Sequence, residues 1–103
     1  MTPEDRVYEI KFTADALEDL RWFTHLESRQ ILGVLESQLR YQPATETRNR
    51  KRLRPNRLAE WELRISRFRV LFDIDEKNQL IQIAAVGYKE GSCLFIRGEE
   101  YEL

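Results

Sequence analysis

The chain has almost none of the residues on which disulfides and soft-metal sites depend. It contains one cysteine, Cys93, and one histidine, His25. A single cysteine excludes an internal disulfide, and this usage is typical of a protein in the reducing cytoplasm. One thiol and one imidazole, far apart in the sequence, are too few soft ligands for a zinc site. We therefore expect neither a metal nor any other cofactor.

Long apolar runs are also absent from the sequence. No run approaches the roughly 18 residues that a membrane span requires. The N-terminal residues MTPEDRVYEI are acidic and polar, which is unlike a signal or transit peptide. With 103 residues, of which 42% are hydrophobic, the chain is long enough for one core. We expect a single domain over residues 1–103, located in the cytoplasm.

The charge of the chain is distributed very unevenly. Residues 48–69 contain nine of the seventeen basic residues and only two acids, a balance of +7 that the remaining residues offset with −8. Such a basic band is typical of a surface that binds polyanions, because basic side chains that neutralise phosphates release counterions. A solvated, poorly ordered connection is the alternative interpretation. The candidate nucleic-acid contacts are Arg48, Arg50, Lys51, Arg52, Arg54, Arg57 and Arg67.

Hydrophobic spacing in the first half predicts a strand followed by two helices. Residues 7–12 alternate like a short strand, and Thr13 is a plausible N-cap for the first helix. Ile31, Leu35 and Leu39 have the spacing of one apolar helix face. Thr24 and Glu27 fit a capping box, and Pro43 excludes continuation of the second helix.

The second half changes to a period of two. Residues 60–65 and 67–74 alternate between apolar and polar positions, and residues 80–86 are apolar almost throughout, as in a central strand ended by Gly87. Residues 94–96 are a candidate for a short further strand. The predicted fold is α+β, with the order β-α-α-β-β-β and a helical hairpin on one face of an antiparallel-rich sheet. The opposite face would present Glu60, Glu62, Arg64 and Arg69 to solvent.

This order of elements and several short motifs resemble a known family. The motifs are ALEDL and ILGVLESQL in the helices, RKRLR in the basic band, ELRISRFRVLFDID in the strand pair and IQIAAVGYKEG at the last long strand. Together they resemble the RelE/ParE superfamily of type II toxins over essentially the whole chain. The resemblance implies a cytoplasmic toxin that a cognate antitoxin neutralises by wrapping over the sheet and helices. RelE-like members cleave mRNA on the ribosome, whereas ParE-like members poison DNA gyrase.

The resemblance also implies a set of catalytic residues, with two departures. The strand arginine of the family matches Arg69, the arginine before the bend matches Arg64, and the basic residue after valine-glycine matches Lys89. Two lysines of RelE fall on Glu60 and Glu62, and the C-terminal aromatic falls on Phe95, which has no hydroxyl. Because other nucleases of the superfamily use a glutamate as base, Glu62 is the candidate base.

Three functions remain open at this point. The preferred one is a metal-free, ribosome-dependent mRNA endoribonuclease that represses translation. The alternatives are a gyrase inhibitor without catalysis and a degenerate module that only binds an antitoxin. The arginines of the strand pair have a purely structural alternative, cross-strand pairing with Glu60, Glu62 and Asp73. The acidic tail, residues 98–103, is either solvated or folded back on the basic band.

Overall fold

The computed structural model describes residues 7–102, which form two helices and seven strands. The first six residues, on which part of the expectation about a leader depends, lie outside this description, as does the last. The elements are β1 (Glu9–Phe12), α1 (Ala14–Leu20), α2 (His25–Leu39), β2 (Arg50–Arg52), β3 (Trp61–Ile65), β4 (Phe68–Asp75), β5 (Leu80–Glu90), β6 (Cys93–Ile96) and β7 (Glu99–Tyr101). The predicted α+β class and the order of its elements are confirmed, the candidate strand at residues 94–96 is present as β6, and the structure adds β2 and β7.

Both helices begin where the sequence predicts. The Thr13 hydroxyl accepts a hydrogen bond from the backbone N–H of Ala16 at 3.1 Å and caps α1. The Thr24 hydroxyl accepts from the Glu27 N–H at 3.1 Å, and the Glu27 carboxylate accepts from the Thr24 N–H at 2.9 Å. This capping box satisfies two N–H groups that the first turn of α2 leaves without intrahelical partners. Within residues 7–102, no helix is long and apolar enough to cross a membrane.

The sheet is built around β5, its longest strand. Its order is β2-β3-β4-β5-β6-β7, and β1 also pairs with β5, in parallel. All other pairings are antiparallel. The helices cover one face, where the predicted α2 stripe of Ile31, Leu35 and Leu39 is buried against the sheet. The strand residues of this main core are Trp61, Leu63, Ile65, Phe68, Val70, Phe72, Ile81, Ile83 and Val86.

The helix-free face is only partly open, because a second, smaller core lies on it. Leu71 and Ala85 of the sheet are buried there together with Leu94 and Ile96 of β6. The chain between β2 and β3 supplies part of the cover. Its partly buried residues are Leu53 and Leu58, and Ala59 is fully buried. The segment 43–59, which has no clear period in the sequence, is therefore anchored to this face at Leu53, Leu58 and Ala59.

The outer edge of β5 has a gap that α1 fills. Residues 80–83 pair with β1 and residues 88–90 pair with β6, which leaves residues 84–87 without a neighbouring strand on that side. Asp19 of α1 accepts a hydrogen bond there from the backbone N–H of Val86 at 2.9 Å. Its second oxygen accepts from the Arg97 guanidinium. Burial raises the pKa of the Asp19 carboxyl, although the Val86 hydrogen bond and the Arg97 charge oppose that rise.

Gly87 does not end the strand, contrary to the sequence-based prediction, because β5 continues through it to Glu90. The reason for glycine at this position is the close approach of β6. A Cβ added to Gly87 would lie 2.3 Å from the backbone oxygen of Phe95 and 2.9 Å from Cγ1 of Ile96. The residue is thus required by packing between strands rather than by a turn.

We predict opposite effects for alanine at two glycines. Gly87→Ala would force β6 away from β5, so the free energy of unfolding should fall by about 1–3 kcal/mol. Gly33→Ala is the matched control, because Gly33 lies inside α2 with open space around it. Alanine should stabilise that helix by about 0.5–1 kcal/mol. Urea unfolding of both variants measures the difference, and equal stabilities would contradict the packing argument.

Candidate nucleic-acid interface

Two arginines lie directly opposite each other on the helix-free face. Arg64 of β3 and Arg69 of β4 are cross-strand partners across the tight β3–β4 turn. Like charges in this position repel, and such a pair costs free energy unless an anion lies between or beside the side chains. The two predicted phosphate contacts are therefore brought together by the register of the sheet.

Arg69 is held rigidly, with part of its guanidinium left unsatisfied. Its NH1 group donates to the backbone oxygens of Ser66 and Phe68, both at 2.8 Å. Its Nε–H is buried and has no hydrogen-bond partner within the described chain. Burial lowers the pKa of the Arg69 guanidinium, the charge of Arg64 lowers it further, and that of Glu62 raises it. A buried donor without an acceptor is uncommon and marks a candidate anion contact.

Glu62 is the acid beside this arginine pair. Its carboxylate oxygen lies 4.0 Å from Nε of Arg69, so the two form an ion pair without a hydrogen bond. Residue exposures are only 6% for Glu62 and 8% for Arg69. The expectation that both face solvent is therefore wrong, whereas Arg64 and Glu60 are exposed as predicted. The neighbouring strand β2 accounts for the burial of Glu62, because it places Lys51 opposite this residue.

A cavity of about 400 Å³ extends from Glu62 across this face. Lys51 of β2 and Lys89 of β5 line it, so the cavity combines two cations with a buried carboxylate. Cys93 is half-buried in the same wall. The remaining lining residues are Leu53, Ser92, Leu94, Glu100, Tyr101 and Glu102. Charged residues of three strands and of the C-terminal segment thus line one cavity.

The structure divides the predicted basic contacts into three groups. Arg50 is buried under α2, where its NH1 donates to the backbone oxygen of Gln38 at 2.9 Å, and burial lowers the pKa of its guanidinium. Arg67 lies against the helices, because it pairs with Glu27 of α2 at 3.0 Å and stacks over Phe68. These two arginines are therefore apart from the Arg64–Arg69 pair. The exposed group consists of Arg48, Lys51, Arg52, Arg54 and Arg57.

The aromatic residue that the resemblance places at the site lies elsewhere. Phe95 pairs with Tyr88 in the sheet, and their rings stack at 5.5 Å among residues packed on the helix side. Tyr101 of β7 reaches the cavity instead. Sequence reasoning missed it because a three-residue strand in an acidic tail has no recognisable period. The only available signal was an aromatic residue within that tail.

Within residues 7–102, no three side chains of His, Cys, Asp or Glu come together as a metal site would require. Arg64, Arg69, Lys51 and Lys89 contribute cationic nitrogens to the helix-free face, and metals do not use such groups as ligands. The arrangement is suited to binding a phosphate between guanidinium and ammonium groups.

Comparison with solved structures identifies the fold. A chain of the toxin–antitoxin complex RelBE2 from Mycobacterium tuberculosis superposes with a TM-score of 0.72 at 22% identity, covering 82% of this chain and 94% of that one. This is the RelE fold. A chain of the archaeal RelE–RelB complex from Pyrococcus horikoshii OT3 gives a TM-score of 0.65 at 18% identity, covering 82% and 97%. No protein-family model and no curated protein sequence matches the chain.

The RelE fold confirms the architecture that the motifs predicted. The helical hairpin covers one face, and the charged residues of β3 and β4 lie on the other. The candidate site on that face consists of the Arg64–Arg69 pair, Glu62 beside it, and Lys51 and Lys89 in the cavity.

We predict that Glu62 stabilises the fold by compensating the paired arginines. Glu62→Gln should lower the free energy of unfolding by about 1–3 kcal/mol, because it leaves buried Arg69 without a counter-charge. Sulfate should then raise the melting temperature of the variant more than that of the unaltered protein, since it can replace the lost charge.

Glu60→Gln is the matched control for this experiment. Glu60 pairs with Arg52 at 3.0 Å, but both side chains are more than half exposed, so the loss should stay below about 1 kcal/mol. Equal losses in the two variants, or the same response to sulfate, would refute the compensating role of Glu62.

Proposed function

We propose that the protein is the toxin of a type II toxin–antitoxin system and cleaves mRNA on the ribosome without a metal. The observation that carries this proposal is the directly paired Arg64 and Arg69, with Glu62 beside them, on the helix-free face of a RelE fold. Guanidinium groups bind phosphate in a bidentate geometry and keep their charge at any cellular pH. Such a pair is well suited to a phosphoryl group that gains negative charge during reaction.

The proposed reaction is attack of a ribose 2′-oxygen on the adjacent phosphorus. A base takes the 2′-hydroxyl proton, the new oxygen–phosphorus bond forms, and the bond to the 5′-oxygen breaks as that oxygen receives a proton. The products are a 2′,3′-cyclic phosphate and a 5′-hydroxyl. In our proposal Glu62 is the base, Arg64 and Arg69 stabilise the charge at phosphorus, and Lys89 holds the phosphate or protonates the leaving oxygen.

The surroundings of this site support a large, polyanionic partner. Exposed Arg48, Lys51, Arg54 and Arg57 of segment 48–57 extend the positive charge beyond the Arg64–Arg69 pair, whereas Arg52 is paired with Glu60. Long-range attraction of this kind raises the association rate with nucleic acid and falls with salt. We propose ribosomal RNA and mRNA as the ligands of this segment, in a cytoplasmic setting.

A cognate antitoxin is the second proposed partner. The two solved structures compared above are toxin–antitoxin complexes. We propose that an antitoxin neutralises this chain as well.

Gyrase inhibition is the alternative function, and one observation favours it. Three carboxylate residues, Glu62, Glu100 and Glu102, line the cavity against two lysines. Carboxylates at this place disfavour binding of a polyanion and are compatible with a protein partner. In this alternative the arginines would be contacts without chemistry.

We predict that toxicity depends on the geometry of the arginine pair. Arg69→Lys keeps the charge but loses the forked guanidinium, and Arg64→Ala removes an exposed member of the pair. Each should reduce single-turnover cleavage by about 10²- to 10³-fold and restore growth of a host that lacks the antitoxin. Arg29→Ala, an exposed arginine of α2, is the control and should stay toxic.

The same host separates the proposed activities when protein and DNA synthesis are labelled together. Early loss of translation with intact supercoiling is the expected result. Early loss of DNA synthesis would instead support gyrase inhibition. Growth without any arrest would support a module that only binds an antitoxin.

A further inference from the structure

The tight turn between β3 and β4 touches two of the candidate catalytic residues through its backbone. The Ser66 oxygen accepts a hydrogen bond from NH1 of Arg69, and the Arg67 oxygen accepts one from the backbone N–H of Lys89, both at 2.8 Å. Resting on the proposed function, we infer that Arg67 is a positioning residue. Its side chain holds the Ser66–Arg67 turn in place, and the turn sets the spacing between Arg69 and Lys89.

The turn has a backbone conformation that needs support. Ser66 has a φ of 54°, in the left-handed region that favours glycine. A side chain in this region costs free energy, so the conformation persists only where surrounding contacts hold it. Arg69 holds the turn from one side, because its NH1 group donates to the oxygens of Ser66 and Phe68. The Arg67 side chain holds it from the other side.

Arg67 connects the turn to β5 and to α2. Its guanidinium carbon lies 5.2 Å from the centre of the Phe68 ring and 5.4 Å from that of Tyr88. A cation over an aromatic face is attracted to it. Its NH2 group also donates to the Glu27 carboxylate at 3.0 Å. Tyr88 directly precedes Lys89 in β5, so this clamp grips the strand beside the lysine that the turn holds.

The surface that receives Arg67 is itself fixed. One oxygen of Glu27 accepts the backbone N–H of Thr24 in the capping box, while the other accepts from Arg67. These hydrogen bonds lower the pKa of the Glu27 carboxyl, the one from Thr24 most, so it stays ionised at neutral pH. Phe23 packs edge-on against both rings under the guanidinium, with ring centres 5.3 and 6.3 Å away. The clamp therefore ends on groups that cannot easily shift.

The same contacts argue against a direct phosphate role for Arg67. Its guanidinium lies on the helix side of the sheet, whereas Arg64 and Arg69 are paired on the helix-free face. To reach a phosphate beside that pair, Arg67 would have to leave Glu27 and both aromatic rings. Its removal should therefore change the geometry of the site more than the attraction of the chain for RNA.

The test is single-turnover cleavage of mRNA on ribosomes by the full chain, over a range of ribosome concentrations. Arg67→Ala should lower the maximal rate about tenfold, because the reacting groups are misplaced, and leave the half-saturating ribosome concentration unchanged. Glu27→Gln should also lower the maximal rate, by about twofold to threefold, although it makes the chain more positive. The double variant should be no slower than Arg67→Ala, because both changes break one clamp.

Two further measurements separate positioning from a general loss of stability. Glu36→Gln is the matched control, because it removes another ion pair of α2, that with Arg40, and should leave the maximal rate unchanged. Hydrogen exchange at the Lys89 amide should become faster in Arg67→Ala at a temperature where circular dichroism shows every variant folded. If Arg67→Ala does not fold, Glu27→Gln against Glu36→Gln decides the question.

The outcomes separate this inference from the proposed function. A higher half-saturating concentration with an unchanged maximal rate would make Arg67 a phosphate contact, which overturns the inference while the proposed cleavage stands. Unchanged rates in both single variants, or a double variant whose losses multiply, would overturn it as well. If the unaltered chain does not cleave mRNA on ribosomes, the proposed function fails and the inference fails with it. A lower maximal rate that the two variants share without multiplying supports both.

Discussion

The buried carboxylate of Asp19 is the interaction on which the rest of the architecture depends. β5 is the strand to which β1, β4 and β6 all pair, yet its outer edge has no partner at residues 84–87. A buried backbone N–H without an acceptor costs as much as a lost hydrogen bond. Asp19 provides that acceptor for Val86, and its second oxygen binds Arg97 at the turn between β6 and β7. One side chain of α1 therefore fixes both the middle of the sheet and the position of its last hairpin.

The candidate site follows from these constraints. Gly87 lets β6 approach β5, so that β6 and β7 extend the sheet and Tyr101 reaches the cavity on its helix-free face. On the other side, β2 places Lys51 opposite Glu62. Lysines, arginines and glutamates that are far apart in the chain are thereby concentrated in one region. The hydrogen bonds among these groups are incomplete, because Nε of Arg69 has no hydrogen-bond partner in the described chain.

Features that depend on neighbouring residues could be predicted from the sequence, and those that depend on distant ones could not. The Thr24–Glu27 capping box and the alternation around Trp61 are local patterns, and both predictions are confirmed. The burial of Arg50 depends on a carbonyl of α2, and that of Glu62 is associated with β2, a three-residue strand of basic side chains with no apolar period. Charge alone made Arg50 indistinguishable from exposed Arg48. The register of β3 and β4 was predictable because their turn is short, so Arg64 and Arg69 were correctly placed on one face.

The parallel pairing of β1 with β5 constrains the order in which the strands can assemble during synthesis. Glu9–Phe12 must wait for residues 80–83, about seventy positions later, before it can join the sheet. Contacts of such sequence separation are slow to form and cannot exist on a partly synthesised chain. The cavity is completed later still, by β6 and β7 at the end of the chain. A truncated translation product that ends before β6 would therefore lack the assembled cavity.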